Sequence, residues 1–304
     1  MKSVCTLGAC SLVALASGTA FGQESASAAA APARSVEYKL KGSVENTFDT
    51  YLKDGPGETS VFRVGPAIDI DIPIGDRATL GISASAQFSK YRFKDVTGFG
   101  AGGPKPIGNT YEHEFNVSYS REFNEQWSLF IAGGVNAAGE TGAKFNESLT
   151  YGGGGGVTYS VNKEIKLGLG VIVRSRLEEN AYVVPLPIIT WNFAPKWEFT
   201  TRYRNARLSY QATEKWTIFA TADFKQHEYR LDIDAPTSEG VFRDRTIPLS
   251  LGATFVPTKS FEITAGAGVN VSRRFTLDDK AGNRVAQVKT DPSLVVFVNA
   301  AFKF

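Results

Sequence analysis

Residues 294–304 read LVVFVNAAFKF. The even positions, Leu294, Val296, Val298, Ala300, Phe302 and Phe304, are all apolar, while the odd ones mix Asn299 and Lys303 with Val295, Phe297 and Ala301. A repeat of two puts successive side chains on opposite faces of a β-strand, so one face is wholly apolar and the other permissive. Soluble domains commonly finish in a few polar, unordered residues. Here the alternation runs through to Phe304.

Working back from this stretch, the same alternation recurs. In residues 62–74 the even positions are Phe, Val, Pro and four Ile, with Arg63, Asp69 and Asp71 on the other face. In 111–123 the odd positions are mostly apolar or aromatic, against Glu112, Glu114, Asn116, Ser118, Ser120 and Glu122. Read this way, strands are expected at 36–50, 59–73, 78–93, 110–123, 127–138, 148–161 and 165–177. Others follow at 181–193, 197–204, 206–212, 216–231, 243–256, 261–277 and 291–304. Most exceed the ~5–6 residues of soluble sheets and reach the ~9–11 that a tilted membrane strand needs. Composition agrees: 30 Gly, 12% aromatic residues and one Met among 304 residues favour β-structure, and no long 3.6-residue period occurs. No apolar run of ~18 residues offers a membrane-spanning helix.

The connections fall into two alternating sets. Short ones lie at 75–77, 124–126, 162–164, 194–196, 213–215 and 257–260, and longer ones at 51–58, 94–109, 139–147, 232–242 and 278–290. Two brief connections, near 178–180 and 205, complete the second set. The long connections at Gly100 and Gly282 are expected to be exposed and to tolerate insertions. Trp127, Trp197, Trp216 and Phe261 each follow a short turn and Trp191 precedes one, so all four Trp fall on a single rim. Amphipathic rings gathered at one level are the mark of a membrane–water boundary.

The terminal strand with Phe302 and Phe304 resembles the C-terminal signature of Gram-negative outer-membrane β-barrels. The alternation of long and short connections resembles their porin-like members across the whole region 36–304. The resemblance implies an all-β fold: a closed antiparallel transmembrane barrel of about fourteen strands, twelve and sixteen being the adjacent even counts. It also implies an outer-membrane location, and that the barrel-assembly machinery reads Phe302 and Phe304 before the last strand closes against the first. Closure leaves no unpaired strand edge in lipid.

An export signal is expected over 1–22, from Lys2, the apolar stretch Val4–Ala16, and the small residues Ala20 and Gly22 before the cut. Cys5 and Cys10 both lie inside it, so the mature chain carries no disulfide. The LGAC stretch ending at Cys10 has the form of a lipoprotein site, but the apolar run continues past it as LVALA. Residues 23–35 form a low-complexity periplasmic spacer.

Little in the sequence points to catalysis. His113 falls on the apolar register of its strand, and His227 on the inward register with Asp223 and Lys225. Asp223 is four strand residues from His227, about 13 Å, too far for a hydrogen bond. No His/Cys group suggests a metal, no cofactor is implied, and an enzyme is not expected. The run YGGGGG (151–156) lacks the Lys-Ser/Thr and helix of a phosphate loop. Gly152, Gly154 and Gly156 are instead expected to face inward beside Gly134, Gly168 and Gly170, either as a sharp bend or as a smooth groove for a loop. A net charge of +2 with no basic run excludes a nucleic-acid role.

The inward charges carry the functional expectation. Arg174, Arg176, Arg202, Arg204 and Arg207, extended by Lys225 and Arg274, form a basic wall; Glu112 and Glu114, with Asp69 and Asp71 lower down, form an acidic one. Opposed walls across a water-filled lumen would set ion selectivity. The leading expectation is therefore passive diffusion of small hydrophilic solutes with a mild anion bias. A gated transporter of an amphipathic ligand is the alternative, and would show an apolar lumen patch and a plug. A structural or surface-interaction barrel is a third.

Overall fold

A computed structural model describes residues 35–304; the export signal and nearly all of the spacer lie outside the described residues. Strands run in the order β1 (Glu37–Tyr51), β2 (Glu58–Ile74), β3 (Ala78–Lys94), β4 (Asn109–Glu122), β5 (Trp127–Glu140) and β6 (Leu149–Ser160). Next come β7 (Ile165–Arg174), β8 (Tyr182–Ala194), β9 (Trp197–Arg202), β10 (Asn205–Gln211) and β11 (Trp216–Asp223). The last are β12 (Lys225–Arg230), β13 (Val241–Thr258), β14 (Phe261–Asp278), β15 (Arg284–Lys289) and β16 (Ser293–Lys303).

These make fourteen staves of a closed antiparallel barrel. The interruption at Phe224 divides one stave into β11 and β12, both on β13; that at 290–292 divides another into β15 and β16, both on β14. Closure is made by the alternating C-terminal stretch 294–304. β16 pairs with β1 from Lys39↔Lys303 to Thr47↔Val295, and Tyr38 and Phe304 exchange backbone hydrogen bonds at 3.1 Å. The outer face is apolar along every stave, for example Leu40, Val44 and Phe48 on β1 and Leu294, Val298 and Phe302 on β16.

Stave height is uneven. β13 and β14 have 18 residues each, whereas β9 and β10 have 6 and 7. At ~3.4 Å per residue and a tilt near 40°, the wall at β9–β10 stands only about 16–18 Å high, below the ~25 Å apolar band of such barrels. That step decides the architecture of the mouth.

Candidate functional site

β11 pairs with β10 up to Asn205↔Asp223, where β10 ends. Its continuation β12 then has β13 on one side and no neighbour on the other. An unpaired edge beside lipid is costly, and β12 leaves the wall. It leans across the barrel and meets β5 at Arg230↔Gly139. On the long-loop side the contour is therefore β12–β13–β14–β15–β1–β2–β3–β4–β5, nine strands, with β15 joined to β1 through the Leu52↔Thr290 bridge. An odd number cannot close with alternating directions, so one pair must run parallel; β5 and β12 are that pair. Gly139 itself is packed on its other side, where a Cβ would lie 2.9 Å from Ser148 Oγ and 3.0 Å from Tyr111 Oη.

Drawing β12 and β13 inward brings charged side chains from opposite walls into direct contact. Asp244 on β13, with no exposed surface, accepts from Arg63 Nη2 (2.7 Å), Tyr91 Oη (3.0 Å) and Arg273 Nε and Nη2 (3.0 and 2.6 Å). Arg63 also reaches Glu45 at 3.0 Å, which in turn takes Lys225 at 2.5 Å. Across the seam His227 Nδ1 lies 2.9 Å from Glu112, whose other oxygen accepts from Asn136 at 2.9 Å. Buried ions persist only when paired and hydrogen-bonded, and these are.

Beyond this layer the mouth is corked. The loop 95–108 folds inward, and its Val96, Phe99 and Ile107 pack with Tyr91, Phe242, Phe275, Leu277 and Val288 in one buried cluster. Gly102 sits against Leu277 with only 2.4 Å between a notional Cβ and Cδ2. On the far side of β12 the loop 175–181 clasps the seam: Arg176 Nη2 pairs with Glu228 (2.7 Å), Arg230 with Glu178 (2.6 Å), and Arg243 donates to the Leu177 carbonyl (2.7 Å).

The residues singled out from sequence are distributed among several environments. Arg174 on β7, Arg202 on β9 and Arg207 on β10 face inward; Arg207 is buried with its guanidinium 3.8 Å from the centre of the Phe219 ring. Arg204 occupies the β9–β10 tip among the rings of Tyr182, Tyr203 and Phe224, and donates to Tyr182 Oη at 2.9 Å. Two basic-wall assignments are corrected. Arg176 belongs to the clasp loop, not to a lumen wall. Arg274 faces outward, because Val271 is an extra residue in β14 between Ile247↔Ser272 and Pro248↔Asn270, and the shifted register turns Arg273 inward instead. The facing walls also differ from expectation near the mouth: Lys225 and Glu45 pair with each other, and Glu112 contacts His227, with no open lumen between them. Glu114 is inward on β4; Asp69 is paired with Lys41, and Asp71 lies beside Gly81 nearer the short turns. His113 is outward between Phe88 and Tyr111.

Sequence reasoning passed over Asp244, Arg273, Tyr91 and the cork. A signal for the cork existed: a connection of this length with apolar residues at 96, 99 and 107 is long for a simple turn and carries side chains that need cover. At the insertion point expected after Gly100, Gly100 and Ala101 are exposed, but the flanking Phe99 and Gly102 are buried in the cork.

The short-turn half is simpler. Trp127, Trp191, Trp197, Trp216 and Phe261 are all outward at that rim, with Trp127 on Tyr159 (4.8 Å) and Trp216 on Phe255 (4.6 Å). Inside, Phe130, Ile172 and Leu186 form a second buried apolar cluster with Ile188 and Tyr203. The glycine run makes room for it: Cβ atoms at Gly156 and Gly170 would lie 2.8 and 3.1 Å from Phe130 Cζ. Phe219 over Gly252 and Phe297 over Gly266 repeat the arrangement, each at 2.5 Å. Among the described residues no group of three His, Cys, Asp or Glu side chains could hold a metal.

An apolar outer face, an aromatic rim and a closed sheet define a transmembrane β-barrel. Residues 61–304 match the family described as a domain of unknown function, DUF6268, and the chain belongs to that family. No curated protein matches it. Among solved structures it is similar to the COG4313 outer membrane channel from Pseudomonas putida F1, with 9% identity, 88% of this chain and 95% of that one covered, and a TM-score of 0.51. It also matches the P. putida toluene transporter TodX (9% identity, 88% and 90% covered, TM-score 0.46) and the KdgM porin (10%, 87% and 99%, 0.34). At these identities the likeness is one of fold, that of outer-membrane β-barrels.

Proposed function

We propose that the protein is an outer-membrane channel with its long loops outside, gated at the β12 seam, that passes a particular small solute and does not stand open as a general porin. One observation carries this: the long-loop half is closed by the nine-strand contour and filled by the Asp244 layer and the Phe99 cork. A plug and an apolar lumen patch, here Phe130, Ile172 and Leu186, suit a solute with an apolar part. Arg174, Arg202 and Arg207, facing the lumen from β7, β9 and β10, favour a negative group on it.

The test is single-channel recording of the refolded mature chain in planar bilayers. Wild-type protein should give no sustained porin-sized steps, and a variant with the cork emptied (Phe99→Ala with Ile107→Ala) should conduct more often. Stable, wide open-channel steps from the wild type would overturn the gated reading.

A further inference from the structure

Above its apolar surface the tall side of the barrel carries a row of like charges. Through direct Cα pairing Gln226, Arg245, Arg274 and Lys289 stand in one register across β12, β13, β14 and β15. They share the outer face, because their neighbours Asp244, Arg273, Phe275 and Val288 point in and are buried. Below them on that face come Ile247 and Val271, then the paired row Leu249, Val269 and Leu294, all exposed. The cations therefore sit where an apolar belt ends, at headgroup level.

Adjacent paired side chains are about 5 Å apart, and like charges directly opposite one another destabilise a sheet. Among the described residues none of Arg245, Arg274 and Lys289 has an ion-pair partner. The nearby carboxylates are engaged: Glu228 is held by Arg176 and Arg243 (2.7 and 3.2 Å), and Asp54 accepts the backbone N–H of Lys289 (2.8 Å). Arg245 keeps a buried Nε with no acceptor. Three cations aligned on an exposed face, with a buried donor unmet, call for an external anion carrying several oxygens.

We propose that Arg245, Arg274 and Lys289 form a binding site for the phosphate of an outer-leaflet lipid, whose acyl chains lie on Ile247, Val271 and the Leu249 row. Guanidinium groups match phosphate oxygens in charge and in fork geometry. The apolar rows directly beneath select a lipid over free phosphate. The site depends on the barrel lying in a membrane and not on the gating reading.

The full mature chain in detergent would be titrated with monophosphoryl lipid A, with its dephosphorylated form, and with inorganic phosphate, following the temperature at which the folded band is lost on gels. The phosphorylated lipid should bind much more tightly than either control, and high salt should weaken it, since the screening length falls to ~3 Å at 1 M. Each cation near an anionic lipid surface is worth roughly fivefold, so Arg245→Gln, Arg274→Gln and Lys289→Gln together should weaken binding on the order of a hundredfold. Equal stabilisation by the dephosphorylated lipid would overturn the proposal, and so would equal stabilisation by inorganic phosphate. A triple variant that binds as wild type would do the same. If that variant does not fold, the lipid comparison and salt series on wild type decide.

Discussion

Asp244→Asn should loosen the mouth more than any other single change in its polar layer. The carboxylate receives four hydrogen bonds from Arg63, Tyr91 and Arg273, and all three acceptor-dependent partners are buried. Asparagine keeps the shape and one acceptor oxygen but removes the charge. Arg63 retains Glu45 at 3.0 Å, whereas Arg273 has no other ion-pair partner among the described residues. Leaving one ion of a buried pair uncompensated costs about 3–5 kcal/mol, or roughly two to four orders of magnitude in the population of a loosened mouth. Replacing both members by apolar groups removes the stranded ion, so Asp244→Leu with Arg273→Met should regain most of the loss. Urea unfolding in vesicles measures the first effect, and the frequency of channel openings in planar bilayers the second. A loss below about 1 kcal/mol with unchanged openings would refute the argument that this layer holds the mouth shut.

Gly102→Val should destabilise the barrel by about 1–3 kcal/mol through overpacking on Leu277; an epitope inserted at 100–103 should abolish folding, while one after Gly282 should be tolerated and labelled on intact cells. Phe304 stacks on Tyr38 with ring centres 5.7 Å apart at the closing seam, so Phe304→Asp should leave no heat-modifiable barrel in membrane fractions. Glu239, in the loop after β12, is held by Lys144 and Lys280 to a pKa of about 2, below its ordinary 4.5. A depressed carboxyl adds stability that is complete above the unfolded value and disappears as pH falls through the folded one. The tie between these loops should therefore persist at pH 6 and release between about pH 4.5 and 2, seen as faster peptic cleavage in 231–240; equal cleavage of wild type and Glu239→Gln across that range would count against it.

The repeat of two determined most of this molecule in advance. Where one face of a strand must meet lipid, every second residue is constrained, and slipping by one would turn the whole set inward. That is why all fourteen staves could be read from alternation, and why the Trp rim and the pairing of the last strand with the first were visible in the sequence. Inward residues carry no such constraint, so their partners could not be read. The short strand at 206–212 was legible, but its consequence was not: beside an 18-residue β13 the seven-residue β10 leaves β12 without a neighbour, and the mouth folds into nine strands. The extra residue Val271 reverses the roles of Arg273 and Arg274, an effect of one residue that period counting across a bulge cannot detect. Contacts such as Asp244 with Arg63, 181 residues apart in the chain, arise only when the whole contour has closed. They depend on which staves face one another across the lumen, which is a property of the tertiary structure and of no local stretch of sequence.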